Sequence, residues 1–428
     1  MEMSRIKNSI SYLPVIGFLF LIASLPFYYG WFQRAALYIL GVSYVIDYVI
    51  NQRWKDWHWS KNKWVYVAFI GFFLLIPLRQ CCDENITSLF SKTIQNYLPF
   101  LIFGICGIIG ITNKWRMEYA TWIMLLTSIV VLSYVLRHVG LPDWNNYNIW
   151  CLSFNQILHQ NVNTHMVLNL YWNISIILSL FVGCCTCYSK WIRYGTLMCM
   201  VFPLFLVSVT DGRTGLLTLV GIILILMLYM LYRYRRWWIG LLTIAFLICA
   251  YIALMQHGRF VDAVNKTNPR VYIWEVALDM IKEKPLLGYG VCSSRLEFVE
   301  RGLKDEDFYN SYAQYLQQDF IKKGKPVDMS VMHPHNALLE TWIQFGIIGV
   351  LILCVLIVLS LTMHLGKYQL FLNLCIFAFL LQSIFESLGN ELKPIYLCLL
   401  VLLWHSQYIN SQYINSQCNN EQASFQPR

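Results

Sequence analysis

The sequence predicts an all-α protein that crosses a membrane about twelve times and carries one helical cap outside it, and three observations predict that fold. Of 428 residues, 57% are hydrophobic and only 13% charged, where an ordinary soluble domain has about a quarter charged. The apolar residues come in runs close to the ~20 that cross a ~30 Å hydrocarbon core. Lys and Arg then recur in every second connection between those runs, the pattern that marks cytoplasmic loops.

Taken in order, the apolar cores fall at 10–29, 32–50, 64–78, 97–111, 119–136, 164–183, 194–210, 214–232, 237–255, 336–363, 369–387 and 392–408. The first follows Arg5 and Lys7 without a small-x-small cleavage site behind it, so it reads as a retained helix. With twelve spans, Arg5 and Lys7, Arg53 through Lys63, Lys114 and Arg116, Lys190 and Arg193, Arg233 through Arg236, and Lys367 share one side. That side is the cytoplasm, and both termini lie there. The alternate connections, with Asp83, Glu84, 137–163, Asp211-Gly212-Arg213 and 256–334, face outward. They hold some positive charge, as at Arg79, Lys92 and Lys393.

This gives an N-terminal transmembrane bundle at 1–255, a cap at 256–334, returning transmembrane helices at 335–408 and a tail at 409–428. The tail repeats Ser406-Gln407-Tyr408-Ile409-Asn410 as Ser411-Gln412-Tyr413-Ile414-Asn415, and its polar composition reads as disordered and cytoplasmic. Topology and anionic headgroups account for the net charge of +9 without nucleic acid as a partner. The 14 cysteines lie mostly in or beside apolar runs, where Cys acts as a small hydrophobe. Adjacent Cys81 and Cys82 are poorly disposed to bridge, and no paired Cys-x-x-Cys units suggest zinc.

Inside the cap, Arg270 to Lys282 has apolar residues at 273, 274, 277, 278 and 281, a helical stripe that Pro285 stops. Leu287-Gly288-Tyr289-Gly290 follows as a turn. A second helix is expected over Asp307 to Lys322, ended by Gly324-Lys325-Pro326.

Charged side chains at the outer membrane boundary are costly unless used. Asp211-Gly212-Arg213-Thr214-Gly215 joins two spans and puts Arg213 at the start of a helix. A guanidinium fork beside unsatisfied helix N–H groups suits a phosphate; the competing reading is a snorkelling Arg paired with Asp211. Arg270, just after Asn268-Pro269, is a second cation, or a solvated one. His333-Pro334-His335-Asn336 returns the chain to the membrane, with Asn336 a favourable helix cap. The imidazole of His335 can act as a general base, or be a boundary residue without a task. On one continuous helix Gly346 would stand nearly in line with His335, ~16 Å along the axis, with Gly349 on the same face, so a second helix could approach closely. Glu340 lies about 140° round that helix and is no triad partner for His335. Gln156, His159, Asn161 and Asn163, and likewise Glu386, Asn390, Glu391 and Lys393, read as polar loop ends or as headgroup contacts.

These elements resemble the O-antigen ligase and polymerase family of bacterial membrane glycosyltransferases. The resemblance rests on His335-Asn336, nine residues, then Gly346-x-x-Gly349; on Arg213-Thr214-Gly215; and on Arg270-x-x-x-Trp274 leading to Pro285-Leu286-Leu287-Gly288-Tyr289-Gly290. It covers roughly Thr164 to Met363, and the N-terminal third by hydropathy alone. It implies a GT-C-like fold in the bacterial inner membrane with its active site facing the periplasm. The reaction implied moves a glycan from undecaprenyl diphosphate to an acceptor hydroxyl with inversion, without metal ion, cofactor or nucleotide sugar. Carried over residue by residue, Arg213 and Arg270 hold the diphosphate, His335 activates the acceptor, and Thr214, Trp274 and Asn336 line the substrate. Where the family often has Ser before the first Arg, this chain has Gly212, so a hydrogen bond from that position is missing. The acceptor is lipid A core for a ligase, the growing glycan for a polymerase, or a protein hydroxyl for an O-oligosaccharyltransferase; the ligase is favoured. Twelve spans also suit a solute transporter, which predicts charged residues at mid-membrane on broken helices.

Overall fold

The computed structural model describes residues 2–27, 30–56, 59–80, 88–110, 114–143, 145–185, 188–210, 213–255, 270–304, 333–385 and 394–424. Its helices are α1 (Glu2–Ile10), α2 (Leu13–Ser24), α3 (Gly30–Ile50), α4 (Trp64–Gln80), α5 (Ser88–Ile109), α6 (Met117–Val139), α7 (Tyr147–Asn161), α8 (His165–Cys184), α9 (Lys190–Cys199), α10 (Val201–Val209), α11 (Arg213–Tyr234), α12 (Trp237–Met255), α13 (Arg270–Glu283), α14 (Val291–Lys304), α15 (Ala337–Leu361), α16 (Gln369–Ile384) and α17 (Pro394–Ser424). No strand occurs among the described residues, and the protein is an all-α, polytopic membrane protein.

Each expected apolar core overlaps a helix within the described residues. Among the described residues eight helices are long and apolar enough to cross a membrane, and Ile94–Ile109 and Trp237–Cys249 are shorter apolar stretches. The other two expected spans, 32–50 and 392–408, lie on α3 and α17. In α3, Arg34 and Asp47 interrupt the apolar run; Asp47 is buried and neutralised by Arg53 (Nε to Oδ2, 2.6 Å), with Asn51 donating to its other oxygen at 2.7 Å.

Hydrocarbon packing organises the bundle around α8, whose spanning window is 89% buried. It packs against α6, α9, α10, α11 and α16. By contrast α3 and α12 turn Val42, Val45 and Val49, and Leu241, Ile244 and Ile248, outward, as lipid-facing helices do. Alternating connections define two ends. At one, Asn62 and His364 join α4 to the end of α15. At the other lies the cap, built from α13, α14 and the first part of α15 around Ile273, Val276, Ala277, Met280, Tyr289, Phe298 and Ile343. Each of the larger aliphatic and Phe side chains contributes roughly 1.5–3 kcal/mol by leaving water, so the cap has an apolar core.

Three features depart from the sequence reading. The connection 137–163 contains α7, and the cap contains α14 directly after the Leu287–Gly290 turn. The tail at 409–424, expected to be disordered, continues α17 as helix to Ser424. Extending an existing helix avoids the cost of nucleation, and composition alone does not register that. The expected cap helix at 307–322 and the Cys81-Cys82 pair lie outside the described residues, as does the polar turn 386–393.

Candidate active site at the cap end

His335 does not begin the returning helix. It stands one residue before the cap, with φ +48°, in the left-handed region that costs most side chains energy and that His visits more readily than most. Its backbone N–H donates to His333 Nδ1 at 3.2 Å, and the two imidazole rings sit 4.0 Å apart. A His333 Nδ1 that accepts this bond carries no proton, so His333 is held with its proton on the other ring nitrogen. Asn336 then caps α15 with φ −153° and ψ 118°, its side-chain oxygen accepting from the N–H groups of Leu338 and Leu339 at 2.9 and 3.0 Å. Its amide nitrogen donates to the Ile384 carbonyl at the end of α16, 3.0 Å away. Trp274 donates its indole N–H to the Pro334 carbonyl at 3.0 Å. The loop is thus held from three sides by the cap helix, α15 and α16.

The glycines do something other than expected. Helix α15 is broken at Gly346, which has φ +65° and ψ −164°, so the straight line from His335 to Gly349 does not exist. No second helix fills the gap; the Pro285–Gly290 loop does. Tyr289 and Gly290 N–H donate to the carbonyls of Ile343 and Gln344 (2.7 and 3.0 Å), and Ile347 N–H donates to Pro285 O (2.9 Å). The Trp342 indole donates to Pro285 O as well, at 3.1 Å. Backbone groups freed by the break are therefore satisfied by the loop, as low-dielectric surroundings require. A Cβ on Gly346 would run into the Leu286 carbonyl. Gly349 leaves room for Phe345 and Thr341 across the kink of its own helix. Gly346 accommodates the break, and the nearest neighbours of Gly349 are side chains of its own helix.

Arg213 opens α11 and Arg270 opens α13; their side chains lie outside what the structure describes. Their backbones can be placed. Arg270 is one turn before Trp274 on the same helix face. The start of α11 is docked on α8: Asn173 donates to the Gly215 carbonyl at 3.1 Å, and Gly215 packs directly on the Asn169 side chain. Thr214 is half-buried, and its carbonyl accepts from Thr218 at 2.6 Å. Next along α8, Met166 O and Leu170 N pair with the correctly oriented Gln382 amide of α16 at 2.9 and 3.1 Å. Two residues further on, Ile384 O holds Asn336. A continuous chain of contacts therefore links the start of α11 to the His335 loop.

The cap is stiffened by charge. Arg301 clamps both oxygens of Glu283 at 2.6 Å and also reaches Glu297 at 2.6 Å, while the Tyr289 hydroxyl donates to Glu283 at 2.7 Å. Arg301 and then Tyr289, hydrogen-bonding to Glu283, hold its carboxyl down to about 2. Burial and the bond to Glu283 push the Tyr289 phenol up to about 12.

The sequence reading missed His333 as a partner of His335, and missed the buried amides Asn169 and Asn173. Their spacing of four in an apolar run puts them on one helix face and was available as a signal. Of the polar cluster before α8, Asn163 donates to Leu25 O at 3.5 Å and His159 meets His165 at 3.2 Å, while Asn161 faces solvent. A cavity of about 590 Å³ lies at the opposite end, lined by Arg116, Glu118, Lys367, Tyr368 and Gln407 among others, away from this constellation.

A many-helix membrane protein whose polar residues gather under a cap at one end is the class these features define. Residues 198–354 match the model of a family described as O-antigen ligase. It is 24% identical over 319 residues to a Rickettsia conorii protein named "Putative polysaccharide ligase", which covers 72% of this chain and 70% of that one. A Rickettsia felis protein of the same name is 27% identical over 38% of each chain, and a Rickettsia prowazekii one 28% identical over 36% of each. These likenesses support a polysaccharide-ligase type of function and a glycosyltransferase-like enzyme.

Proposed function

We propose that the protein transfers an oligo- or polysaccharide from undecaprenyl diphosphate to an acceptor hydroxyl beside the cap, the acceptor being lipid A core. One observation carries the reading: the His335 loop is pinned at the same end of the bundle as the start of α11, with Arg270 one turn from the Trp274 that holds the loop. Arg213 and Arg270 hold the diphosphate. His335 takes the proton from the acceptor hydroxyl as its oxygen attacks the anomeric carbon; the bond from that carbon to the diphosphate breaks, and its electron pair leaves with the diphosphate. Attack opposite the leaving group inverts the centre. A diphosphate is already a good leaving group, so cations and one base suffice.

The face opposite the cap bears Lys61, Lys63, Arg116, Lys190, Arg193, Arg233, Arg235, Arg236 and Lys367. That excess favours a cytoplasmic location for it and a periplasmic one for the cap, with both termini on the cytoplasmic side of the inner membrane. A transporter reading expects a broken helix, and α15 is broken. Yet the Ile343 and Gln344 carbonyls exposed by the break are taken by the cap loop rather than turned to a permeation path, which favours transfer.

The test is reconstitution of the purified protein in liposomes with an undecaprenyl-diphosphate-linked glycan and lipid A core. The expected product is glycan on lipid A core. Lengthened glycan still on undecaprenyl diphosphate would make the chain a polymerase instead.

A further inference from the structure

The residues proposed for catalysis are carried by helices of two apolar clusters, one in the cap and one in the bundle. His335 and Arg270 sit at the cap, where α13, α14 and the first part of α15 share an apolar core that includes Tyr289 and Ile343, while Val291, Ala337 and Phe345 of the same segments pack into the bundle core. Arg213 sits on the bundle, tied through Gly215 to α8. Between cap and bundle, α15 passes through Gly346 at φ +65°, a backbone joint without the continuous hydrogen-bond ladder that would stiffen a helix. The Asn336 tie to Ile384 of α16 is one contact that fixes the distance from the base to the bundle's arginine, and the loop inserted at the joint offers a second.

Arg79 is placed to supply it. It lies in the last turn of α4, a bundle helix, and its natural partners would be the unsatisfied carbonyls of that helix's own end. Instead its guanidinium reaches the inserted loop, Nε donating to Leu287 O at 2.9 Å and Nη2 to Gly288 O at 3.0 Å. One side of the loop is paired with α15 through Tyr289, Gly290 and Pro285; Arg79 takes the carbonyls on two successive residues between those contacts. The planar fork spans the two acceptors with a fixed geometry that an ammonium does not reproduce. The loop is thereby bracketed between α4 and the joint in α15.

We propose that Arg79 is a positioning residue, fastening the cap loop to α4 so that His335 and Arg270 keep their register against Arg213. This rests on the transfer reaction proposed above. Removing the guanidinium leaves the pairing of loop and α15 and the cap core intact, so the cap stays folded while its place on the bundle loosens. Misplacement of reacting groups by about 1 Å costs on the order of 100-fold in rate.

The experiment uses the full chain in liposomes with an undecaprenyl-diphosphate-linked glycan and lipid A core, comparing wild type, Arg79→Ala, Arg79→Lys and His335→Ala. Hydrogen exchange is followed over 285–290 and 337–345. For Arg79→Ala the expected result is a kcat lowered roughly 10- to 100-fold, a KM changed by less than about threefold, and protection over both segments close to wild type. Arg79→Lys restores only part of kcat, and added guanidinium ion rescues Arg79→Ala but not His335→Ala. Wild-type kcat in Arg79→Ala beside an inactive His335→Ala overturns the role of Arg79 and leaves the reaction standing. Loss of protection over 285–290 overturns it too, by making Arg79 a folding residue. Full activity in His335→Ala overturns the reaction, and the proposal for Arg79 with it.

Discussion

The two parts of α15 read as one apolar run and yet meet different surroundings. Before Gly346, Leu339, Trp342 and Ile343 pack into the cap, and Glu340, Thr341 and Gln344 are buried on the bundle side. After it, Leu353 and Leu356 are buried in the bundle while Leu351, Val355 and Val358 face outward as a lipid-exposed stripe. The polar residues of the first part bond along their own helix, Gln344 donating to Glu340 at 3.4 Å and Thr341 to the Ala337 carbonyl at 2.7 Å; the second part has no polar side chain between Ile347 and Val358 except Cys354. A single apolar run can thus serve a membrane span and a support for the cap at once, provided one glycine breaks it and another segment fills the break.

Substituting the joint should separate the two parts most. Gly346→Val forces a branched residue to φ +65° and into the Leu286 carbonyl, and is expected to cost about 3 kcal/mol or more, read as loss of hydrogen-exchange protection over 285–290. Gly71→Ala in α4, where nothing stands within 4 Å of the added Cβ, should be neutral or stabilising by up to about 1 kcal/mol.

Asn336 sharpens the comparison at the other end of the first part. Asn336→Ala loses the cap of α15, about 1 kcal/mol, and the tie to Ile384. Asn336→Asp keeps the capping oxygen and loses only the amide donor. Thermal unfolding should distinguish the two variants, whereas transfer activity should fall in both.

The smallest effect concerns the cap alone. Glu283 is held below its ordinary value, so the stability it brings is present above the unfolded carboxylate range and disappears as pH falls from about 4.5 through the folded value of about 2. Acid should therefore loosen the cap before the second part of α15, and Glu283→Gln should remove that sensitivity. Hydrogen exchange over 270–304 between pH 5 and pH 3 reads it.

Much of this was legible in the chain. Run lengths located helices that overlap each apolar core within the described residues, and the stripe at 273, 274, 277, 278 and 281 located α13, which ends at Glu283 within a residue of the expected stop. Pro334-His335-Asn336 announced a helix start. What stayed hidden was decided by partners distant in sequence. Gly346 reads as packing because helix periodicity has no way to register a loop from 285–290 entering the ladder. Arg79 reads as a stray cation in an outer connection because its acceptors are backbone carbonyls 208 and 209 residues away. Helix α14 was obscured by Ser293-Ser294 and Gly302, poor helix formers overridden by the burial of Cys292 and Phe298.

The central claim, that a base on the cap works against a phosphate holder on the bundle, is tested most directly by measuring glycan transfer and donor binding together in liposomes for His335→Ala and Arg213→Ala. The account predicts that His335→Ala loses at least about 100-fold in transfer while still binding the undecaprenyl-diphosphate-linked donor, and that Arg213→Ala loses both. Transfer at the wild-type rate by either inserted variant would contradict it.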